Sequence, residues 1–257
     1  MFVFDEAHQA VARTFQSTIR AARSINNTFV VGLSATPGRS TEDEGEDLQA
    51  LFGNNLITSK ELGPRPVTEL IKRGVLSKLR FNQIVLPKPW DAVRVRSARS
   101  RTLSVDELSL NPARFWATVD SICALEGSRS LVFCASLSHC FAVAAAIQDR
   151  GGAAEVVART TAPAKRQRLL ARYAAGEFPI LVNKTLLATG YDCPGITDVV
   201  LATPIRSAIL WEQILGRASR GPAVGGSEIG RVWELDDHRA MHGRVLSYAR
   251  FLGDLWA

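Results

Sequence analysis

Phe2-Val3-Phe4-Asp5-Glu6-Ala7-His8 is an apolar triplet that runs directly into two adjacent carboxylates. A short β-prone run followed by charge reads as a buried strand that ends where the acids begin. Ligands of open parallel sheets bind outside the carboxyl ends of the strands, and a strand ending in Asp-Glu aims both acids there. A second run, Phe29-Val30-Val31-Gly32-Leu33, reads as another buried strand. Between the two, Ala10 to Ser24 places Phe15 and Ile19 at helical spacing. Strand, helix, strand with short gaps is a parallel α/β pattern.

The pattern continues along the chain. Thr41 to Asp47 reads as an acidic loop or first helical turn, and Val67 to Leu79 as a short helix followed by a turn at Gly74. Pro87 and Pro89 then discourage regular structure, and Arg94, Arg96, Arg99 and Arg101 alternate with small residues. From Asn111 the spacing predicts strands over 130–134, 154–158, 180–183, 199–202 and 232–235. Helices are predicted over 112–125, 137–150, 164–175, 207–218 and 239–252. Five strands with intervening helices make a complete α/β domain. The first 80 residues supply only two strands, too few for an independent sheet. The division expected is 1–80, a basic linker over 81–110, and a second unit over 111–257.

A chain of 257 residues with 46% hydrophobic and 22% charged residues can bury a substantial core. No apolar run approaches the roughly 20 residues that span a bilayer, so no membrane partner is expected. No secretory signal is evident, and the four cysteines show no Cys-x-x-Cys spacing. Reduced thiols and a cytoplasmic location are expected. The net charge of +6 is uneven. Residues 1–60 carry 5 basic and 7 acidic side chains, residues 61–101 carry 10 and 3, and residues 102–257 carry 16 and 15. The positive excess thus lies in about forty residues around the four arginines, which favours a polyanion such as nucleic acid, or else marks a solvated basic linker.

Four motifs carry chemistry. Asp5 can hold Mg²⁺ while Glu6 orients and deprotonates a water that attacks a γ-phosphate; alternatively, Asp5 merely caps the next helix. Ser34-Ala35-Thr36-Pro37 follows the second strand, where its hydroxyls can hydrogen-bond the neighbouring acidic motif, or simply form a turn. Thr189-Gly190-Tyr191-Asp192 follows the apolar run Ile180 to Val182. There Gly190 permits a tight turn, and Thr189 and Asp192 offer phosphate or nucleotide contacts; a plain surface turn is the alternative. Gln213-Ile214-Leu215-Gly216-Arg217-Ala218-Ser219-Arg220 closes a predicted helix, with Gln213, Arg217 and Arg220 on one face. Two rigid guanidinium forks suit a triphosphate, and the bland alternative is a basic helix end that complements the macrodipole.

In this order and spacing, with Ser130 to Ser136 between them, these blocks resemble the superfamily two helicases and translocases of DEAD/DEAH-box type. The string Gly32 to Arg39 and Leu181-Val182-Asn183 most resemble the DNA-directed branch, which includes the motor subunits of restriction enzymes. The resemblance implies a P-loop NTPase type helicase core: an incomplete first RecA-like domain followed by a complete second RecA-like parallel-sheet domain. It further implies ATP and Mg²⁺ as cofactors and single-stranded nucleic acid, DNA by its branch, as partner. Asp5 and Glu6 would be the Mg²⁺ and water-activating pair, and His8, Ser34 and Thr36 would couple hydrolysis to movement. Gln213, Arg217 and Arg220 would face the triphosphate. Gly190 and Asp192 would contact the nucleotide, with Thr189 and the arginines at 94, 96, 99 and 101 on nucleic acid.

Members of this family also carry a phosphate loop, G-x-x-x-x-G-K-[ST], ahead of the acidic strand. No Gly-Lys dipeptide occurs anywhere in the 257 residues. Without that backbone cradle and lysine the β- and γ-phosphates lose their main anchor. The expectation is therefore the carboxyl-terminal portion of an ATP-driven motor, truncated or started late and inactive by itself. The alternatives are half of a split motor completed by a second polypeptide, or a non-catalytic nucleic-acid-binding or regulatory module.

Overall fold

The computed structural model describes residues 1–25, 28–34, 42–57, 59–63, 65–87, 109, 111–125, 127–205 and 207–236. These fall into two compact units, one comprising Met1–Glu61 with Ser207–Glu212, the other beginning at Leu62 and taking in most of the remainder.

In the first unit, β1 (Phe2–Phe4) pairs in parallel with β2 (Val30–Gly32), Phe4 lying opposite Gly32. Between them runs α1 (Arg13–Ser24), whose Ile19 is fully buried. The acidic stretch is helical, as α2 (Glu42–Leu51). Its Leu48 and Leu51 join Ala10 and Ile19 in a small core flanked by Phe2, Phe4, Val30 and Phe52. Gly32 is required by close approach: a methyl there would fall 2.7 Å from the Phe52 ring and 2.8 Å from Ala7 Cβ.

The second unit is an all-parallel six-stranded sheet in the order β3-β8-β7-β4-β6-β5. Its strands are β3 (Lys78–Ile84), β4 (Ser130–Phe133), β5 (Ala154–Val156), β6 (Ile180–Asn183), β7 (Asp198–Leu201) and β8 (Ile229–Leu235). The three central strands are buried at every residue, which is why Leu131 to Phe133, Ile180 to Val182 and Val199 to Leu201 read as unbroken apolar runs. Helices α4 (Pro112–Cys123), α5 (Leu137–Asp149) and α6 (Pro163–Ala174) connect them. Asn111 caps α4, its Oδ1 accepting from the amides of Ala113 and Arg114, and Ser136 caps α5 through the His139 amide. The apolar faces of α4 and α5 meet the sheet in one core that includes Val119, Ile122, Val143 and Ile147.

Two features differ from the pattern read in the sequence. The sheet has a sixth strand: after α3 (Pro66–Lys72) and a turn at Gly74 (φ 68°), the chain enters β3, which pairs with β8 along its length. Residues 81–84, read as linker, are strand. They escape notice because an edge strand with Lys78, Arg80 and Gln83 exposed lacks an apolar run. The helix predicted over 207–218 is α7 (Ala208–Leu215), ending three residues earlier, so Arg217 and Arg220 lie beyond its end rather than on one helical face. Its last turn tightens, the Arg217 and Ala218 amides donating to the Ile214 and Leu215 carbonyls. The helix predicted over 239–252 lies outside the described residues. Among those described, no helix is long and apolar enough to cross a membrane.

Candidate functional site

In the first unit the acidic motif turns sharply off β1. Glu6 adopts a left-handed backbone (φ 53°, ψ 50°), unusual for a residue with a Cβ, and its amide donates to Asp5 Oδ1 at 2.8 Å. Such a conformation costs roughly 1–3 kcal/mol and persists only where the surroundings enforce it. Here the enforcement is a backbone exchange with the end of β2: the Leu33 amide donates to the Phe4 carbonyl at 2.8 Å, and the Ala7 amide to the Leu33 carbonyl at 2.8 Å. His8 is consequently buried, with Nδ1 3.3 Å from Ser34 Oγ and 3.4 Å from Glu6 Oε2. One imidazole nitrogen thus faces both the acidic motif and the first hydroxyl of the Ser-Ala-Thr stretch. Thr36 lies outside the described residues.

The second unit brings its two motifs together. Gly190 (φ 66°) opens the turn after β6 with a backbone that favours glycine, presenting the Tyr191 carbonyl and the Asp192 carboxylate. Arg217 donates through Nη1 to the Tyr191 carbonyl and through Nε to the Gln213 carbonyl at 3.2 Å. Arg220 donates through Nε to Asp192 Oδ1 at 2.8 Å and through Nη1 to the Gly216 carbonyl at 2.8 Å. The Asp192 side chain is 68% exposed, so this ion pair is solvated and worth only about 0–1 kcal/mol. A phosphate could take its place at little cost. Thr189 is exposed beside it, and Gln213 is half-buried on α7. Burial pushes the Tyr191 phenol well up, and Cys193 adds to that shift, so the ring stays neutral.

What holds this arginine turn is the segment after the turn at Gly74, to which the sequence motifs gave no part in the site. Ser77 is buried, and its hydroxyl lies 2.6 Å from the carbonyl oxygens of both Arg220 and Ser227. The glycines after the arginines are the one sequence signal for it. A methyl on Gly221 would meet the Gly74 carbonyl at 2.1 Å, and one on Gly226 the Arg220 carbonyl at 1.8 Å. Arg94, Arg96, Arg99 and Arg101 lie outside the described residues. Among those described, no group of three or more His, Cys, Asp or Glu is placed to hold a metal ion.

A parallel sheet of this order, with a Gly-turn held to a post-helical arginine pair, has the fold of RecA-like helicase domains. Residues 114–221 match the family described as Helicase conserved C-terminal domain. The chain is 23% identical over 232 residues to the protein named "Putative ATP-dependent helicase IRC3" of Saccharomyces cerevisiae, covering 86% of this chain and 32% of that one. It is 42% identical over 57 residues to the Type I restriction enzyme EcoKI endonuclease subunit of Escherichia coli K12, covering 22% of this chain and 5% of that one. The solved structure of Saccharomyces cerevisiae Dbp5 bound to RNA and ADP BeF3 matches with a TM-score of 0.60 at 17% identity, over 98% of this chain and 57% of that one. The chain therefore spans well under half of either curated relative.

Proposed function

We propose that this polypeptide belongs to an ATP-dependent nucleic-acid translocase and supplies its arginine pair and acidic motif, but does not turn over ATP by itself. The observation that carries the reading is the clasp of Arg217 and Arg220 on the Tyr191-Asp192 turn. It gathers guanidinium donors beside one solvated carboxylate, an arrangement that a triphosphate can enter. In the first unit, Asp5 would contribute one oxygen to a Mg²⁺ ion that otherwise takes water and phosphate, as that ion commonly does. Glu6 would orient the attacking water, and the His8–Ser34 contact would couple nucleotide state to movement, together with Thr36. Gly190 and Asp192 would meet the nucleotide, Gln213 would face the triphosphate, and Thr189 with the arginines at 94–101 would meet the nucleic-acid backbone. DNA is the favoured substrate because of the likeness to a restriction-enzyme subunit.

Steady-state ATPase measurement on the 257-residue chain with Mg²⁺ and single-stranded DNA tests the proposal. Turnover should stay at background, since no Gly-Lys dipeptide is present to anchor the phosphates. Robust hydrolysis would overturn that part of the reading. A second version, one half of a split motor, predicts that turnover appears once a polypeptide bearing the phosphate loop is added.

A further inference from the structure

We infer that Ser77 is a positioning residue for the arginine turn, acting through a strap formed by Gly74, Val75, Leu76 and Ser77. Helix α7 stops at Leu215, so no helical hydrogen bond fixes the backbone at Arg220. The strap, some 143 residues earlier in the chain, does so instead. Leu76 and Arg220 form an antiparallel bridge. The Ser77 amide donates to the Ser219 carbonyl at 2.9 Å, the Gly221 amide to the Val75 carbonyl at 3.0 Å, and the Ala223 amide to the Gly74 carbonyl at 2.9 Å. Arg220 is thereby gripped on both sides in sequence.

Its own carbonyl receives the Ser77 hydroxyl at 2.6 Å and the Ser227 amide at 2.9 Å. The single hydroxyl proton is shared between the carbonyls of Arg220 and Ser227, which ties the arginine turn to the lead-in of β8. Ser77 itself is the last residue before β3, so one buried side chain pins the arginine backbone to the start of two paired strands. No room exists for slack, because the same close approach excludes a methyl at Gly221. With the backbone fixed, the short reach from Arg220 to Asp192 and Gly216 sets the direction of the guanidinium. Ser77 acts through the backbone carbonyls of Arg220 and Ser227 and not on a ligand. Only the claim that Arg220 meets phosphate rests on the proposed function.

The test follows the arginine Nε–H signals of the chain by NMR, comparing wild type with Ser77→Ala and Ser77→Thr. Loss of the hydroxyl removes one donor from each of two half-buried carbonyls, the Arg220 carbonyl keeping only the Ser227 amide, and solvent exchange of the Arg220 Nε–H should quicken about tenfold. Ser77→Thr, which keeps the hydroxyl, should restore the slow rate. The Arg172 Nε–H, held by Glu177 at 2.8 Å, should not move in either variant and separates local from general loosening. Should Ser77→Ala fail to fold, Ser77→Cys takes its place, with a smaller quickening because the thiol is a weaker donor. An unchanged Arg220 signal in the hydroxyl-less variant overturns the inference, as does a quickening that Arg172 shares. Inorganic tripolyphosphate is then titrated into wild type and variant, and its affinity should fall about tenfold with the hydroxyl. If Arg220 responds to the substitution but ignores tripolyphosphate, the positioning role stands and the triphosphate role of the arginine pair fails.

Discussion

Asp198 shows how much one side chain outside every motif can hold. It is fully buried at the start of β7, yet its carboxylate accepts from Arg231 Nη2 at 2.7 Å, Trp233 Nε1 at 2.8 Å and Thr197 Oγ1 at 2.8 Å. Arg231 is its register partner on β8, so the cluster welds two neighbouring strands. Asp198→Ala leaves half-buried donors unmet and should cost about 2 kcal/mol, read as a lower urea midpoint with an unchanged slope. Nothing in the sequence marks Asp198, because its partners on β8, Arg231 and Trp233, lie more than thirty residues away. Arg220 and Asp192 were legible as residue types within motifs; their pairing was not, since 28 residues separate them.

Among the elements, α7 is the most revealing. Ile209, Trp211, Ile214 and Leu215 are buried, and the helix carries one charge, Glu212. Burial pushes the Glu212 carboxyl up to about 7 from an ordinary value of 4.5. The folded protein therefore holds this proton more tightly than the unfolded chain does. Stability from this group is present at low pH and is lost as pH rises from about 4.5 to about 7. Glu212→Gln should flatten that decline and leave the variant more stable than wild type above pH 7, as urea unfolding at pH 5, 6, 7 and 8 would show. The apolar period of α7 was legible, but its end was not. Arg217 and Ala218 after Gly216 are good helix formers, and the strap that captures the following residues is remote in sequence. The edge strand β3 went unread for the opposite reason: its exposed lysine and arginine mask a strand that only its pairing with β8 creates.

For the whole molecule, the charge distribution makes a prediction of its own. If the four arginines at 94–101 meet phosphates of single-stranded DNA, affinity should fall about fiftyfold between 50 and 200 mM salt, a slope expected of about four contacts. A binding isotherm that ignores salt would remove the electrostatic account. By itself the sequence determined the α/β alternation, the central strands and the four motifs, since each is local: an apolar run, a period, or a short string of functional groups. Only the tertiary structure decided that the sheet has six strands, that Asp198 locks two of them, and that the arginine turn is held by a strap rather than by its helix. Those outcomes depend on hydrogen bonds between residues far apart in the chain. Such bonds are fixed by packing, and no local pattern encodes them.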